Sequence, residues 1–325
     1  MDIRRAGVLL GVAGLVLTAG CSAGGSASGP SGPSAEGSAR ASATAATALP
    51  AGPYVALGDS YTAGLRIAPQ VGTPAGCSRS GANYPSLVAK ALGLSGAAFT
   101  DVSCSGATTR DLAAAQRTVD GTNEPQLDAL SPATRLVTLG IGGNDAGFMD
   151  VLGRCAEEGL KQSLLAGLTG TQTAGSPCRS HFTGADGQDQ VQQKVDAAGE
   201  RLGELLQQVR SRSPQARVFV VGYPELLPSD PASCTTTLGR GAAAGDVAFL
   251  AEKEQQLNTM LRQRAGAAGA GYVDTYTPSA GHDMCAGEGT RWIEPPFPAA
   301  GLAPVHPNAA GQQGMAAAVL HALRS

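Results

Sequence analysis

Five short apolar runs, with helix-patterned segments between them, limit what this chain can fold into more than any other feature. They occupy residues 54–57, 98–102, 135–141, 217–222 and 271–274. Within two of them, Leu136-Val137-Thr138-Leu139 and Val218-Phe219-Val220-Val221, every residue is apolar or β-branched, which suits strands covered on both faces. Between the runs, Val191, Val195, Leu202, Leu205, Leu206 and Val209 recur at helical spacing, and Leu250, Leu257 and Leu261 do so more sparsely. A last helix is expected from an Asn308 N-cap to about residue 323, burying Met315, Val319, Leu320 and Leu323. Strand–helix alternation of this kind predicts a three-layer α/β/α sandwich around a five-stranded parallel sheet. Ligands of such sheets bind at the carboxyl ends of the strands. Two stretches, 146–188 and 223–246, are rich in Gly, Pro and polar residues and read as long loops around the mouth of that site.

The residues that follow the runs are the ones that can do chemistry. Gly58-Asp59-Ser60-Tyr61 follows the first run and delivers the Ser60 hydroxyl to a strand end. Cys104-Ser105-Gly106-Ala107 follows the second, where Gly106 can present a backbone N–H without a side chain in the way. Gly142-Gly143-Asn144-Asp145 follows the third, where Asn144 supplies a neutral donor. Each block taken singly is an ordinary turn signal, but three at the ends of three successive strands are not. His306, in His306-Pro307-Asn308, completes the set as a proton carrier. Asp59 and Asp145 are expected to hold these loops by hydrogen bonding. Among the other histidines, His321 falls near a helix end, His181 in a polar loop, and His282 beside Asp283 could line the pocket.

The chain carries a net charge of −3, which is no footprint for nucleic acid or anionic lipid. Residues 1–20 read as an export signal: Arg4 and Arg5 precede an apolar stretch too short and glycine-broken to span a bilayer. It ends in Leu17-Thr18-Ala19-Gly20-Cys21, which resembles a lipoprotein processing site with Cys21 as the lipidated residue, although leucine is commoner where Thr18 stands. Residues 21–52 are almost wholly Gly, Ser, Ala, Thr and Pro and are expected to tether the domain at 53–325. Cysteines 77, 104, 155, 178, 234 and 285 remain; six allow fifteen pairings, and without a C-x-x-C they point to structural disulfides and not to zinc.

With its blocks at Ser60, Gly106, Asn144 and His306, in order, the chain resembles the SGNH (GDSL) hydrolase family across about residues 53–325. The resemblance implies a flavodoxin-like sandwich and ester hydrolysis through an acyl-serine, with an oxyanion hole from the Ser60 and Gly106 N–H groups and the Asn144 amide. The six cysteines look most like the secreted bacterial lipase/esterase branch, which implies the pairs Cys77–Cys104, Cys155–Cys178 and Cys234–Cys285. One position departs from the pattern. Three residues before the histidine the family usually has aspartate, but here stands Ala303, in Ala303-Pro304-Val305-His306. Pro304 pushes Ala303 toward an extended conformation, so the Ala303 carbonyl is expected to orient the imidazole. Glu294, Asp283 or Glu288 could instead supply a remote acid.

The expected activity is therefore a serine esterase or lipase, monomeric, acting on lipid or small acyl esters. It needs no metal or organic cofactor and is held at the outer face of a membrane through Cys21 or else secreted. Carbohydrate or phospholipid ester hydrolysis, or a non-catalytic lipoprotein that binds cell-wall or lipid ligands, are the alternatives. Absence of a Gly-x-Ser-x-Gly elbow argues against an α/β-hydrolase. Trp292 with Glu294-Pro295-Pro296-Phe297-Pro298 offers apolar surface for an acyl chain, or else a rigid loop packed on the domain.

Overall fold

In the computed structural model, which describes residues 52–169, 175–184, 187–238 and 244–325, all five apolar runs become strands. In chain order the strands are β1 (Tyr54–Gly58), β2 (Phe99–Asp101), β3 (Gln116–Thr118), β4 (Gly121–Asn123), β5 (Leu136–Gly140), β6 (Arg217–Val221) and β7 (Gly271–Val273). The helices are α1 (Ser60–Ala63), α2 (Tyr84–Ala91), α3 (Thr109–Ala113), α4 (Phe148–Thr169), α5 (Pro177–Phe182), α6 (Gln190–Arg212), α7 (Thr235–Leu238), α8 (Ala244–Ala267) and α9 (Ala309–Ala322). The expected signal segment, Cys21 and the tether up to residue 51 lie outside the described residues.

The main sheet has the order β2-β1-β5-β6-β7 and every pairing in it is parallel. Alternation along each strand divides its side chains between two cores. Val55, Leu57, Val137, Leu139, Val218 and Val220 pack with α3, α4, α6 and α8 residues on one face. Tyr54, Ala56, Leu136, Phe219 and Val221 pack with Tyr84 and Val88 of α2 and Met315 and Val319 of α9 on the other. These are the three layers that the strand–helix alternation predicts. α6 buries all six stripe residues and is capped by Asp189, whose carboxylate accepts from the Val191 and Gln192 amides. Asn308 caps α9 by accepting from Gly311 N, and of the four expected core residues Leu320 alone is only half-buried.

Two expectations fail. Most of the supposed loop at 146–188 is helical, as α4 and α5, and α8 begins inside the supposed loop at 223–246. In α4, Arg154 and Lys161 pair with Glu157 and Glu158 at i,i+3 and i,i+4 spacing, while Phe148, Val151 and Cys155 are buried. β3 and β4 form a small antiparallel hairpin that the sequence pattern does not announce. Among the described residues, no helix is long and apolar enough to cross a membrane.

Candidate active site

The turn that carries Ser60 is shaped by backbone needs at the end of β1. Gly58 has φ 154°, and a Cβ there would lie 2.5 Å from the Gly140 carbonyl and 2.3 Å from Thr62 Oγ1, so only glycine fits. Gln126 grips the same residue from both sides: Gly58 N donates to its Oε1 at 2.7 Å, and its Nε2 donates to Gly58 O at 2.9 Å. Asp59 then caps α1, accepting from Tyr61 N at 2.9 Å. Ser60 stands at the first position of this helix, almost buried, which gives its backbone N–H no partner inside the helix.

His306 comes from the loop between β7 and α9. Its Nε2 lies 2.8 Å from Ser60 Oγ and its Nδ1 lies 2.7 Å from the Pro304 carbonyl. A carbonyl only accepts, so Nδ1 carries the proton and the Nε2 lone pair faces the serine hydroxyl. Burial holds the imidazole below its usual pKa; Arg66 adds to this, against the opposing effect of the Pro304 carbonyl. The ring is therefore neutral at neutral pH, ready to accept a proton.

The orienting carbonyl is thus that of Pro304 and not that of Ala303. Val305 adopts the left-handed conformation, φ 57°, which turns the carbonyl just before it back toward the side chain just after it. Tyr61 Oη holds that turn by donating to Val305 O at 2.6 Å, and the backbone of Glu294 brackets it, with Val305 N donating to Glu294 O and Glu294 N donating to His306 O, both at 3.0 Å. The candidate acids are engaged elsewhere. Glu294 accepts from Arg291 and Asn308 at 3.1 Å, Asp283 accepts from Cys285 N at 2.8 Å, and Glu288 is exposed.

Gly106, with φ 79°, occupies the left-handed region that glycine tolerates, and its loop is pinned by the Cys77–Cys104 bridge and by Ser105 N donating to Cys77 O. Asn144 donates one amide hydrogen to Ala107 O at 2.8 Å. Asp145 holds its loop as expected, accepting from Thr109 N at 2.9 Å, Thr109 Oγ1 at 2.6 Å and Arg201 at 3.1 Å. Ser60, Gly106, Asn144 and His306 all line one cavity of about 220 Å³. Its apolar wall is Leu65, Phe148, Met149, Leu226 and Leu257.

His282 does not line this cavity; it stacks on Trp292 with ring centroids 4.6 Å apart and its Nδ1 meets Thr290 O. The Trp292 segment is absent from the wall too: Trp292 packs against Gly314 of α9 and Phe297 points to solvent. His181 sits in α5, exposed, and His321 is an exposed residue of α9. Sequence reasoning passed over Tyr61, Tyr223 and Glu254, which line the cavity as well. Tyr223 carried a signal, since it closely follows β6 at its carboxyl end; Glu254 carried none, being one polar residue in a long helix.

The three disulfides are Cys77–Cys104, Cys155–Cys178 and Cys234–Cys285, the sequential pairing, and they belong to a chain that folds in an oxidising, exported setting. Among the described residues the one cluster with metal-ligand geometry is Cys234, Asp283 and Cys285; because its sulfurs are bonded to each other it offers no thiolate.

A family model for the GDSL-like Lipase/Acylhydrolase family matches residues 56–313. Lipase 2 of Streptomyces coelicolor is 44% identical over 275 residues, 83% of this chain and 85% of that protein. Among solved structures, phospholipase A1 from Streptomyces albidoflavus NA297 matches with a TM-score of 0.64 at 30% identity, over 86% of this chain and 100% of that one. An extracellular lipase from Streptomyces rimosus matches with a TM-score of 0.63 at 28% identity, over 83% of this chain and 98% of that one. The chain belongs to the GDSL-like lipase/acylhydrolase (SGNH) family, in its secreted bacterial lipase/esterase branch, and is a carboxylic ester hydrolase.

Proposed function

We propose that the chain hydrolyses acyl esters of lipid type by a Ser60–His306 dyad, with the Pro304 carbonyl in the place of the usual acid. One observation carries this reading: the unbroken line from Pro304 O through the imidazole to Ser60 Oγ, opening on an apolar cavity. As Ser60 Oγ attacks the ester carbonyl, its proton passes to Nε2 of His306. Charge on the carbonyl oxygen is met by the N–H groups of Ser60 and Gly106 and by the amide hydrogen of Asn144 that Ala107 does not use. Collapse expels the alcohol, which takes the proton from Nε2 and leaves an acyl-Ser60. Water, deprotonated by the same nitrogen, then attacks the acyl carbon and releases the acid. Through both steps the Pro304 carbonyl keeps Nδ1 protonated and steadies the imidazolium.

Leu65, Phe148, Met149, Leu226 and Leu257 suit an acyl chain better than a sugar. The Streptomyces albidoflavus relative, a phospholipase A1, makes phospholipids the first natural class to test. Ser60→Ala should stay folded and fail to take a fluorophosphonate label, with turnover reduced by several orders of magnitude to the residual ~10³–10⁴ over water that oxyanion donors give. Near-normal ester hydrolysis by that variant would sink the assignment. A panel of short-chain, long-chain, phospholipid and acetyl-sugar esters then ranks the substrates.

The protein is held at the outer face of a membrane through diacylated Cys21; the processing-site match followed by a small-residue tether supports this anchor. Cys21→Ser should release it to the medium. Equal membrane retention of the serine variant would contradict the anchor.

A further inference from the structure

Tyr223 belongs to none of the four sequence blocks, yet its hydroxyl stands between two of them. It donates to Asp59 Oδ2 at 2.6 Å and accepts from Gly143 N at 2.8 Å. Asp59 caps the helix that begins at Ser60, and Gly143 directly precedes Asn144. The phenol thus ties the nucleophile turn to the turn that carries the amide donor. The tie is itself fixed from behind: Tyr223 N donates to Asn258 Oδ1 at 2.8 Å, and Asn258 Nδ2 donates to Tyr223 O at 3.0 Å. The ring also meets Tyr61 edge-on, 5.1 Å between centroids.

Two further features show a fitted contact. A Cβ on Gly143 would lie 3.1 Å from Tyr223 Oη and 3.2 Å from Cζ, so the glycine leaves room for the phenol to approach the backbone. Tyr223 and Asp59 are 5% and 1% exposed, so water cannot readily replace the bond between them.

We propose that Tyr223 is a positioning residue: its hydroxyl sets the Gly143–Asn144 turn against the Asp59–Ser60 turn and so holds the Asn144 amide in place before substrate arrives. This rests on Asn144 being an oxyanion donor. Donors of that kind act because they need no reorganisation as charge develops, so a small displacement of the turn is felt mainly in the transition state.

A double-mutant cycle tests it, using kcat and KM on one chromogenic p-nitrophenyl ester for Tyr223→Phe, Asn144→Ala and the double variant. Asn144→Ala should lower kcat by ~10²–10³-fold. Tyr223→Phe keeps the ring and should lower kcat by ~10–100-fold, with KM within about twofold. In the Asn144→Ala background the same change should cost less than about threefold, because the donor it positions is gone. Unchanged kcat in Tyr223→Phe, a loss confined to KM, or losses that multiply in the double variant would each overturn the positioning role. If Asn144→Ala alone leaves kcat intact, the oxyanion reading fails first, and the inference with it. Should Tyr223→Phe not fold, Gly143→Ala crowds the phenol from the other side; it should show the same kcat loss and the same dependence on Asn144, and additivity there overturns the proposal equally.

Discussion

Converting Glu294 to glutamine separates the two ways in which His306 can be oriented. Among the three acids that could have served, Glu294 is the one whose backbone brackets the 305–306 turn, with Val305 N donating to its carbonyl and its N–H donating to His306 O. Its carboxylate, however, bonds Arg291 and Asn308 at 3.1 Å, while Nδ1 of His306 is taken by the Pro304 carbonyl at 2.7 Å. The amide is nearly isosteric and leaves both backbone bonds untouched, so kcat should stay within about tenfold. Stability should fall, because the Arg291 and Glu294 side chains are only 17% and 7% exposed. Losing a charge-assisted bond there costs about 1.5–3 kcal/mol, below the 3–5 kcal/mol of a fully buried pair, because Arg291 keeps some access to water. At about 2–4 °C per kcal/mol for a domain of this size, Tm should drop by about 3–12 °C. Initial rates on a p-nitrophenyl ester and a circular-dichroism melt read the two effects separately. A folded Glu294→Gln enzyme slowed by about 10⁴, the cost of such a change in a true triad, would refute the carbonyl dyad. Asp283→Asn and Glu288→Gln should be as active as the parent within the same tenfold.

Because burial depresses the His306 pKa, kcat/KM should rise with pH along a limb centred below the free imidazole value of ~6.5; a midpoint at or above that value contradicts the buried, carbonyl-oriented ring. Burial pushes the Asp59 carboxyl up to about 7, against ~3.9 when unfolded, so the native state binds a proton that the unfolded state releases between those values. Its contribution is complete below about pH 4 and is lost as pH rises to about 7, by about 4 kcal/mol, so Asp59→Asn should gain that much relative to the parent between pH 4 and pH 8 in urea titrations. A pH-independent difference would remove the basis for that shift. The Cys234–Cys285 bridge spans 51 residues and Cys155–Cys178 spans 23, so loop entropy ranks their loss at about 4 and about 3 kcal/mol. Denaturant titration of the two double-serine variants gives the order, and a reversed order would mean that loop entropy does not govern these bridges.

How much of this was legible beforehand depends on the range over which each feature is decided. The strands were legible because a segment buried on both faces must be apolar throughout, and the turn blocks after them because a parallel sheet brings every strand's carboxyl end to one edge. Ser60, Gly106 and Asn144 could therefore be placed together from order alone, and His306 joined them by its motif. α4 was hidden: Gly153, Gly159 and Gly167 with a charged middle mask a short buried stripe, and its support comes from i,i+4 ion pairs and the Cys155–Cys178 bridge. The choice of Pro304 over Ala303 was beyond sequence, because it turns on Val305 being held left-handed by Tyr61, 244 residues away along the chain, and by the Glu294 backbone. Tyr223 likewise acquires its partners only when β6 brings it beside the Asp59 and Gly143 turns. Local pattern determined which segments pair and which residue types reach the edge of the sheet. Hydrogen bonds between distant segments in a water-poor interior decided which atom faces which, and with it the tautomer of His306 and the raised pKa of Asp59.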